Sequence, residues 1–331
     1  MSEAEILVVG GGAIGGATAA LLAGRVRRVA VLDANREHAA RMRGPGLLLD
    51  DLGIPRRVRL EAYDDPADLQ GPFDFVLVTV KAPHLEAALV PLVERGLAPA
   101  YVSLGNGLVQ ERVARLVGEE NLIVGTVEWG ATNLGPGRLA RTTRAPFVIG
   151  EPDGSVRERT ERLAAALGTA FEVRLTRNIR GQVWTKLLVN STFSGLGAVS
   201  GLLYREVVAS REGLKAALAM WREGYEVGRA QGLRLERFVG VPAEELAAGG
   251  QRGEAAVREV MRHVGATKAS MLQDLERGLK TEVDVINGAV VERGRKYGVP
   301  TPLNERVLGL IRKMEEGEDA PSPQKLASLA A

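Results

Sequence analysis

Apolar and polar positions follow two rhythms along this chain, and the change falls just past its middle. In the first half, short apolar runs recur at 5–9, 28–33, 73–80, 100–104, 121–126, 147–150 and 171–175. Runs of this length predict strands, and those at 5–9 and 73–80 read as buried parallel ones. Helical stretches lie between them at 17–22, 37–43 and 156–167. A β-rich interlude covers 47–49 and 57–60. Leu134-Gly135-Pro136-Gly137 predicts a hairpin joining 128–133 to 138–141. Beyond Asn178 the strand signal stops. Helical periodicity then dominates at 181–203, 214–231, 254–264, 271–279, 282–297 and 304–314. Residues 242–253 read as a flexible connection and 320–331 as a loose tail. The domain boundary is expected near 176–180.

The 331 residues suffice for two domains with separate cores. Composition is ordinary for a soluble protein, with 45% hydrophobic and 25% charged residues and a formal net charge of +2. A pI of 8.9 on so small a charge excess does not argue for nucleic acid. The absence of cysteine excludes disulfides, thiolate metal sites and thiol catalysis. Residues 1–10 have no basic n-region, and no run reaches the roughly 18 apolar residues of a membrane span. A cytoplasmic protein is the expectation, with no membrane or nucleic-acid partner. Of 43 cationic residues only 8 are lysine, and only Lys81 and Lys186 fall in the first 200. A retained lysine in an arginine-rich chain marks a task that arginine cannot do, such as giving up a proton near neutral pH.

The first strand runs into Gly10-Gly11-Gly12-Ala13-Ile14-Gly15, and Gly10, Gly12 and Gly15 fill the G-x-G-x-x-G spacing. The first glycine allows a tight turn and the second lets a pyrophosphate approach the backbone. The third lets the helix pack close to the strand, its N-terminus aimed at the phosphate. A strand before the motif, a helix after it and a second strand ending in Asp33 make a dinucleotide site. The predicted fold is α/β: a Rossmann-type dinucleotide-binding domain over 1–177, then an all-helical domain over 178–331. Asp33 stands where an acid bonds the adenosine ribose hydroxyls, which favours NAD(H) because a carboxylate repels a 2′-phosphate. Asn35 and Arg36 lie just beyond, and Arg36 is placed to pair with a 2′-phosphate, which favours NADP(H). Lys81 follows the 73–80 strand at a carboxyl end, where ligands bind in such sheets. It is a candidate for cofactor or substrate contact, whereas His84 reads as an ordinary loop histidine. Asn106, between Gly105 and Gly107 at the end of the next strand, is a candidate to hydrogen-bond a ligand.

The helical half opens on Val183-Trp184-Thr185-Lys186-Leu187-Leu188-Val189-Asn190, running on to Ser194. Lys186, Asn190 and Ser194 recur every four residues, so on one long helix they share a face. An amine among so many apolar neighbours is costly unless paired or reached by solvent. Behind a nucleotide domain this suggests carbonyl reduction, in which hydride comes from a nicotinamide and the carbonyl oxygen must receive a proton. Lys186 is the candidate general acid, its pKa expected to fall through desolvation. A third segment carries Ser270 and, twelve residues on, Glu282. Glu282 is a candidate partner for Lys186 or a substrate hydroxyl, and Ser270 for the substrate. The plain alternative has Thr281 capping a helix with Glu282 and Asp284 in its first turn.

These pieces together resemble the ketopantoate reductases. The matching residues are the 10–15 loop, Val80-Lys81-Ala82, Asn106-Gly107-Leu108, Trp184 to Asn190, Ser270-Met271-Leu272-Gln273-Asp274, and Thr281-Glu282-Val283-Asp284-Val285-Ile286-Asn287-Gly288. They come in the family's order and nearly span the chain. The resemblance implies NADPH-dependent reduction of 2-dehydropantoate to (R)-pantoate in pantothenate synthesis. It implies Lys186 as general acid and Glu282 as the residue that binds substrate and orients it. Asn106, Asn190 and Ser270 would line the substrate pocket, and Lys81 would touch the cofactor. Two positions depart from the family's pattern. Ser194 stands where an asparagine is usual, which leaves the substrate open. The 2′-phosphate arginine of the family matches Asn35, and Asp33 replaces an apolar residue, which leaves NADP(H) and NAD(H) both open. Two other readings remain: a reductase of another branched 2-keto acid, and a dinucleotide-sensing protein without catalysis. Apolar helices in the second half leave a homodimer open.

Overall fold

A computed structural model describes residues 1–330. The chain divides into two compact units: 1–105 with 109–179, and 180–331 with the short segment Asn106–Leu108. Among the described residues no helix is long and apolar enough to cross a membrane.

The first unit is built as the apolar runs dictate. Its elements are β1 (Ser2–Val9), α1 (Ala13–Leu22), β2 (Val26–Leu32), α2 (Arg36–Arg43), β3 (Leu47–Asp51), β4 (Ile54–Val58), β5 (Glu61–Tyr63) and β6 (Phe75–Val78). There follow α3 (Leu85–Glu94), β7 (Tyr101–Ser103), α4 (Gln110–Val117), β8 (Leu122–Val127), β9 (Ala131–Asn133), β10 (Arg138–Arg141), β11 (Phe147–Gly150), α5 (Glu158–Gly168) and β12 (Val173–Leu175). Eight strands form one sheet in the order β12-β11-β8-β7-β6-β1-β2-β5. From β5 to β8 all neighbours are parallel, and β11 returns antiparallel on β8. This is the Rossmann strand order, with its reversal at β1 and β6. Strands β6 and β8 are buried throughout, and β1 is buried over Ile6–Val9, so they read as unbroken apolar runs, as strands of a parallel sheet covered on both faces do. The interlude and the hairpin, separate in sequence, join into a second sheet of order β4-β3-β10-β9.

The second unit is helical: α6 (Ile179–Val189), a π-helical turn (Asn190–Ser194), α7 (Gly195–Ser200), α8 (Tyr204–Ala209), α9 (Arg211–Ala230), α10 (Ala243–Ala247) and α11 (Gly250–Val264). Then come α12 (Ser270–Leu275), α13 (Asn287–Tyr297), α14 (Pro302–Glu315) and α15 (Lys325–Ala330). Trp184, Trp221 and Phe193 are among the largest side chains of its core.

Four sequence expectations are corrected here. The helix expected over 181–203 is interrupted at Asn190–Ser194, where the turn closes over five residues instead of four. The connection expected over 242–253 contains α10, tied down by Trp221 Nε1 donating to the Ala243 carbonyl at 2.9 Å and by a fully buried Leu246. The helix expected from 282 begins at Asn287, so Thr281 does not cap it: its Oγ1 accepts the Val283 N–H at 3.1 Å within a turn that holds Glu282 and Asp284. The Thr281 N–H and hydroxyl both donate to Glu315 Oε1 on α14, which ties the start of that turn to another helix. The tail expected over 320–331 contains α15, with Leu326 and Leu329 buried (Ala331 lies outside the described residues). A five- or six-residue helix is too short to show a period, which is why both short helices escaped the pattern.

Candidate active site

In the first unit the glycine loop leaves β1 at the reversal point of the sheet. Gly10 has φ +96°, in the left-handed region, and a Cβ there would stand 2.9 Å from the Val80 backbone nitrogen. A Cβ on Gly15 would stand 2.0 Å from the Gly10 carbonyl oxygen, so only glycine lets α1 approach the strand. Gly12 is different. It is the N-cap of α1 and brings no side chain to cap it, and a Cβ there would meet nothing within 4 Å. No side chain at 12 thus stands over the first turn of α1, at the positive end of the helix, the geometry that suits a phosphate.

Three side chains hold this loop in shape. Thr79 Oγ1, just beyond β6, lies 2.9 Å from the Val9 carbonyl oxygen and 2.7 Å from that of Gly10. Asp33 Oδ2 accepts from the Gly11 N–H at 2.7 Å, and Oδ1 accepts from the Asn35 N–H at 2.9 Å. Buried His38 accepts the Gly137 N–H at Nδ1 (2.8 Å), so its Nε2 carries the proton and donates to the Gly11 carbonyl at 2.7 Å. Thr79 and His38 were invisible as site residues, because their partners are backbone atoms supplied by distant strands and turns.

The adenosine end of such a site would meet Asp33, Asn35 and Arg36. Asn35 caps α2, its Oδ1 accepting the His38 N–H at 2.9 Å. The Arg36 side chain is 91% exposed and lies 3.5 Å from Asp64, which also pairs with Arg43. Lys81 is half-buried and leads into a single 3-10 turn at Ala82–His84, where His84 is exposed. The loop Gly10 to Gly15, Asp33 and Lys81 all gather at the carboxyl ends of β1, β2 and β6, and they fit a dinucleotide.

In the second unit the lysine helix is more buried than its sequence suggests. From Gly181 through Ser200 every residue is buried except Lys186 and Asn190, which are half-buried. These two are one α-turn apart. Ser194 does not join them at the surface. It is 1% exposed, its hydroxyl facing the Tyr204 phenol without reaching hydrogen-bond geometry, and burial raises that phenol's pKa to about 12. Glu282 is buried and its Oε2 accepts from Asn106 Nδ2 at 3.1 Å. The Asn106 segment is held by the Leu108 N–H donating to the Val285 carbonyl at 3.1 Å. So Asn106, far away in sequence, belongs with Glu282. Ser270 opens α12 and is exposed.

A Rossmann sheet with a phosphate-shaped glycine loop, joined to a helical unit carrying a half-buried lysine and a carboxylate–carboxamide pair, defines a class: oxidoreductases that use a nicotinamide dinucleotide. Comparison with known proteins narrows it. Residues 6–154 match the family model described as ketopantoate reductase PanE/ApbA, and residues 178–315 match its C-terminal partner. The chain is 30% identical to a 2-dehydropantoate 2-reductase of Mesorhizobium japonicum over 94% of its own length and 97% of the relative's. It is 28% identical to one of Halobacterium salinarum over 93% and 98%. Among solved structures, a PanE/ApbA family ketopantoate reductase from Ralstonia eutropha superposes with a TM-score of 0.82 at 26% identity, covering 95% of this chain and 99% of that one. D-mandelate dehydrogenase, solved with NADH and anilino(oxo)acetate, shares the fold with a TM-score of 0.84 at 23% identity over 95% and 99%. The chain belongs to the ketopantoate reductase family.

Proposed function

We propose that this protein reduces 2-dehydropantoate to (R)-pantoate with NADH or NADPH, supplying pantoate for pantothenate synthesis in the cytoplasm. The observation that carries the reading is the pair Lys186 and Asn190, the two half-buried positions of an otherwise buried stretch of twenty residues. A polar pair kept at the edge of such a core has a task other than packing. Bound NAD(P)H supplies the hydride that adds to the C2 carbonyl carbon. Lys186 stabilises the charge that develops on the carbonyl oxygen and delivers a proton to it, leaving a neutral amine that regains its proton from solvent. Glu282, with one oxygen held by Asn106, binds a substrate hydroxyl and orients the lysine. Asn190, Asn106 and Ser270 line the substrate site. In the first unit the amides of Gly12 to Gly15 receive the pyrophosphate, Asp33 or Arg36 meets the adenosine ribose, and Lys81 touches the cofactor.

Purified protein assayed with 2-dehydropantoate and each cofactor tests the reading directly. Lys186→Ala is expected to lower kcat by roughly three orders of magnitude, within the range general acids contribute, while the dinucleotide Kd stays near that of the wild type. Unchanged turnover in that variant would remove the general-acid assignment. A second reading, a reductase of another branched 2-keto acid, is favoured by one observation. Serine at 194 turns into the core, so a longer carboxamide found there in the family is missing. Relative kcat/KM over a panel of branched 2-keto acids separates the two.

A further inference from the structure

The π-turn that interrupts the lysine helix is held from outside. The Gly195 N–H bonds back to the Asn190 carbonyl, spanning five residues. In an uninterrupted α-helix that N–H would serve the Ser191 carbonyl. Ser191 is therefore left with a surplus acceptor in a wholly buried stretch, a costly position without a donor. Asn287, at the start of α13, supplies one: its Nδ2 donates to the Ser191 carbonyl at 2.9 Å. The same Nδ2 donates to Asn304 Oδ1 at 3.0 Å. Asn304 Nδ2 and its backbone N–H donate to Glu223 Oε2 at 2.8 and 3.0 Å, and the Leu303 N–H donates to Glu223 Oε1 at 2.8 Å. Asn287 and Asn304 are both 0% exposed. Gly195 leaves the room: a Cβ there would stand 3.2 Å from Asn287 Nδ2.

So two fully buried carboxamides and a half-buried carboxylate lead to one backbone carbonyl, and Asn287 Oδ1 stays buried without a hydrogen-bond partner in that arrangement. An apolar residue at 287 would offer the Ser191 carbonyl no donor. The turn begins at Asn190, one of the two half-buried residues of the stretch, and π-turns within helices are frequent at functional sites. We propose that Asn287 is a positioning residue of this site: by capping the Ser191 carbonyl it fixes the π-turn, and the turn fixes Asn190 relative to Lys186. This rests on the reduction proposed above.

The test is Asn287→Leu, which removes the donor without burying a charge. KM for 2-dehydropantoate is expected to rise about tenfold, the size of a typical coupling between residues in one network, while the dinucleotide Kd stays within about twofold. Because Asn287 acts through Asn190, the same change made in Asn190→Ala should add nothing further to KM. Additive effects, or a wild-type KM in Asn287→Leu, overturn the proposal. Thr192→Val serves as control, since the buried Thr192 hydroxyl has no hydrogen-bond partner. An equal rise in KM there also overturns it. If Asn287→Leu does not fold, Asn304→Ala removes the second anchor of the amide, and a smaller rise of about threefold is expected; no rise counts against the proposal. A crystal structure of the Asn287 variant needs no assay. The Gly195 N–H should return to the Ser191 carbonyl, and a retained bond to Asn190 overturns the proposal even if wild-type protein proves inactive on 2-dehydropantoate. That inactivity would sink only the functional reading.

Discussion

Asp33 carries two jobs that the sequence showed as one. In the function proposed above its negative charge bears on which cofactor is used, and in the structure its Oδ2 latches the Gly11 N–H at 2.7 Å. The two separate by substitution. Asp33→Asn keeps a side-chain acceptor for Gly11 and removes the charge. The ratio of kcat/KM for NADPH to that for NADH is expected to rise about tenfold, equivalent to about 1.4 kcal/mol of charge repulsion removed. Asp33→Ala also frees the loop, so efficiency with NADH and NADPH should both fall; steady-state kinetics with each cofactor reads both outcomes. His38 shows the same principle from the other side. It lies on a helix that its sequence predicts, yet its two ring nitrogens join the Gly11 carbonyl to the Gly137 N–H, the latter 99 positions away from it in sequence. Roles set by side-chain type and strand position were legible at this scale. Roles set by a bond to one distant backbone atom were not, because such a bond leaves no periodicity and no composition bias.

Whole elements were legible wherever burial imposes a period. The parallel strands and α1 appear where the apolar runs and the glycine spacing place them, and the fold class follows from them. The glycine motif also separates packing from binding. At Gly15 a Cβ would collide with the Gly10 carbonyl and with Thr79 Oγ1 at 2.3 Å, so Gly15→Ala must displace α1, with an expected loss of about 1–3 kcal/mol in stability. At Gly12 there is no collision within the protein. Gly12→Ala should keep stability within about 1 kcal/mol, the scale of an N-cap change, and yet lose most of its dinucleotide affinity. Thermal unfolding and fluorescence titration with NADH distinguish the two variants. Elements that do not follow burial were illegible. The π-turn has the same apolar spacing as the helix around it, and only the buried amide of Asn287, from another helix, distinguishes them. The turn at 281–286 is tethered at Thr281 by Glu315, thirty-four residues further on.

At the scale of the molecule, each unit carries its own core and its own response to acid. In the first, Glu151 is fully buried; burial alone would raise its pKa, but hydrogen bonds from Arg159 and Thr160 and the charges of Arg159 and Arg157 hold it below the usual 4.5. Its stabilisation is present above that unfolded value and is lost as pH falls through the lowered folded one. In the second, burial raises the pKa of Glu223 against the hydrogen bonds from Leu303 and Asn304. The sign is opposite: stability is greatest below 4.5 and is lost as pH rises through the raised value. Acidification below pH 4.5 should therefore loosen β11 and α5 before α9 and α14, as hydrogen exchange across the two units would show. Glu151→Gln should flatten the dependence in the first unit. The other molecular-scale feature is the placement of Asn106–Leu108, three residues with the helical unit although the chain on either side lies in the sheet unit. The consequence is one of modularity. A chimera that exchanges the helical half for a relative's, cut at 179/180, would inherit a foreign Glu282 facing a native Asn106. Recombination within the family has to carry that tripeptide along with the half it bonds to, so the unit of exchange is discontinuous in the gene.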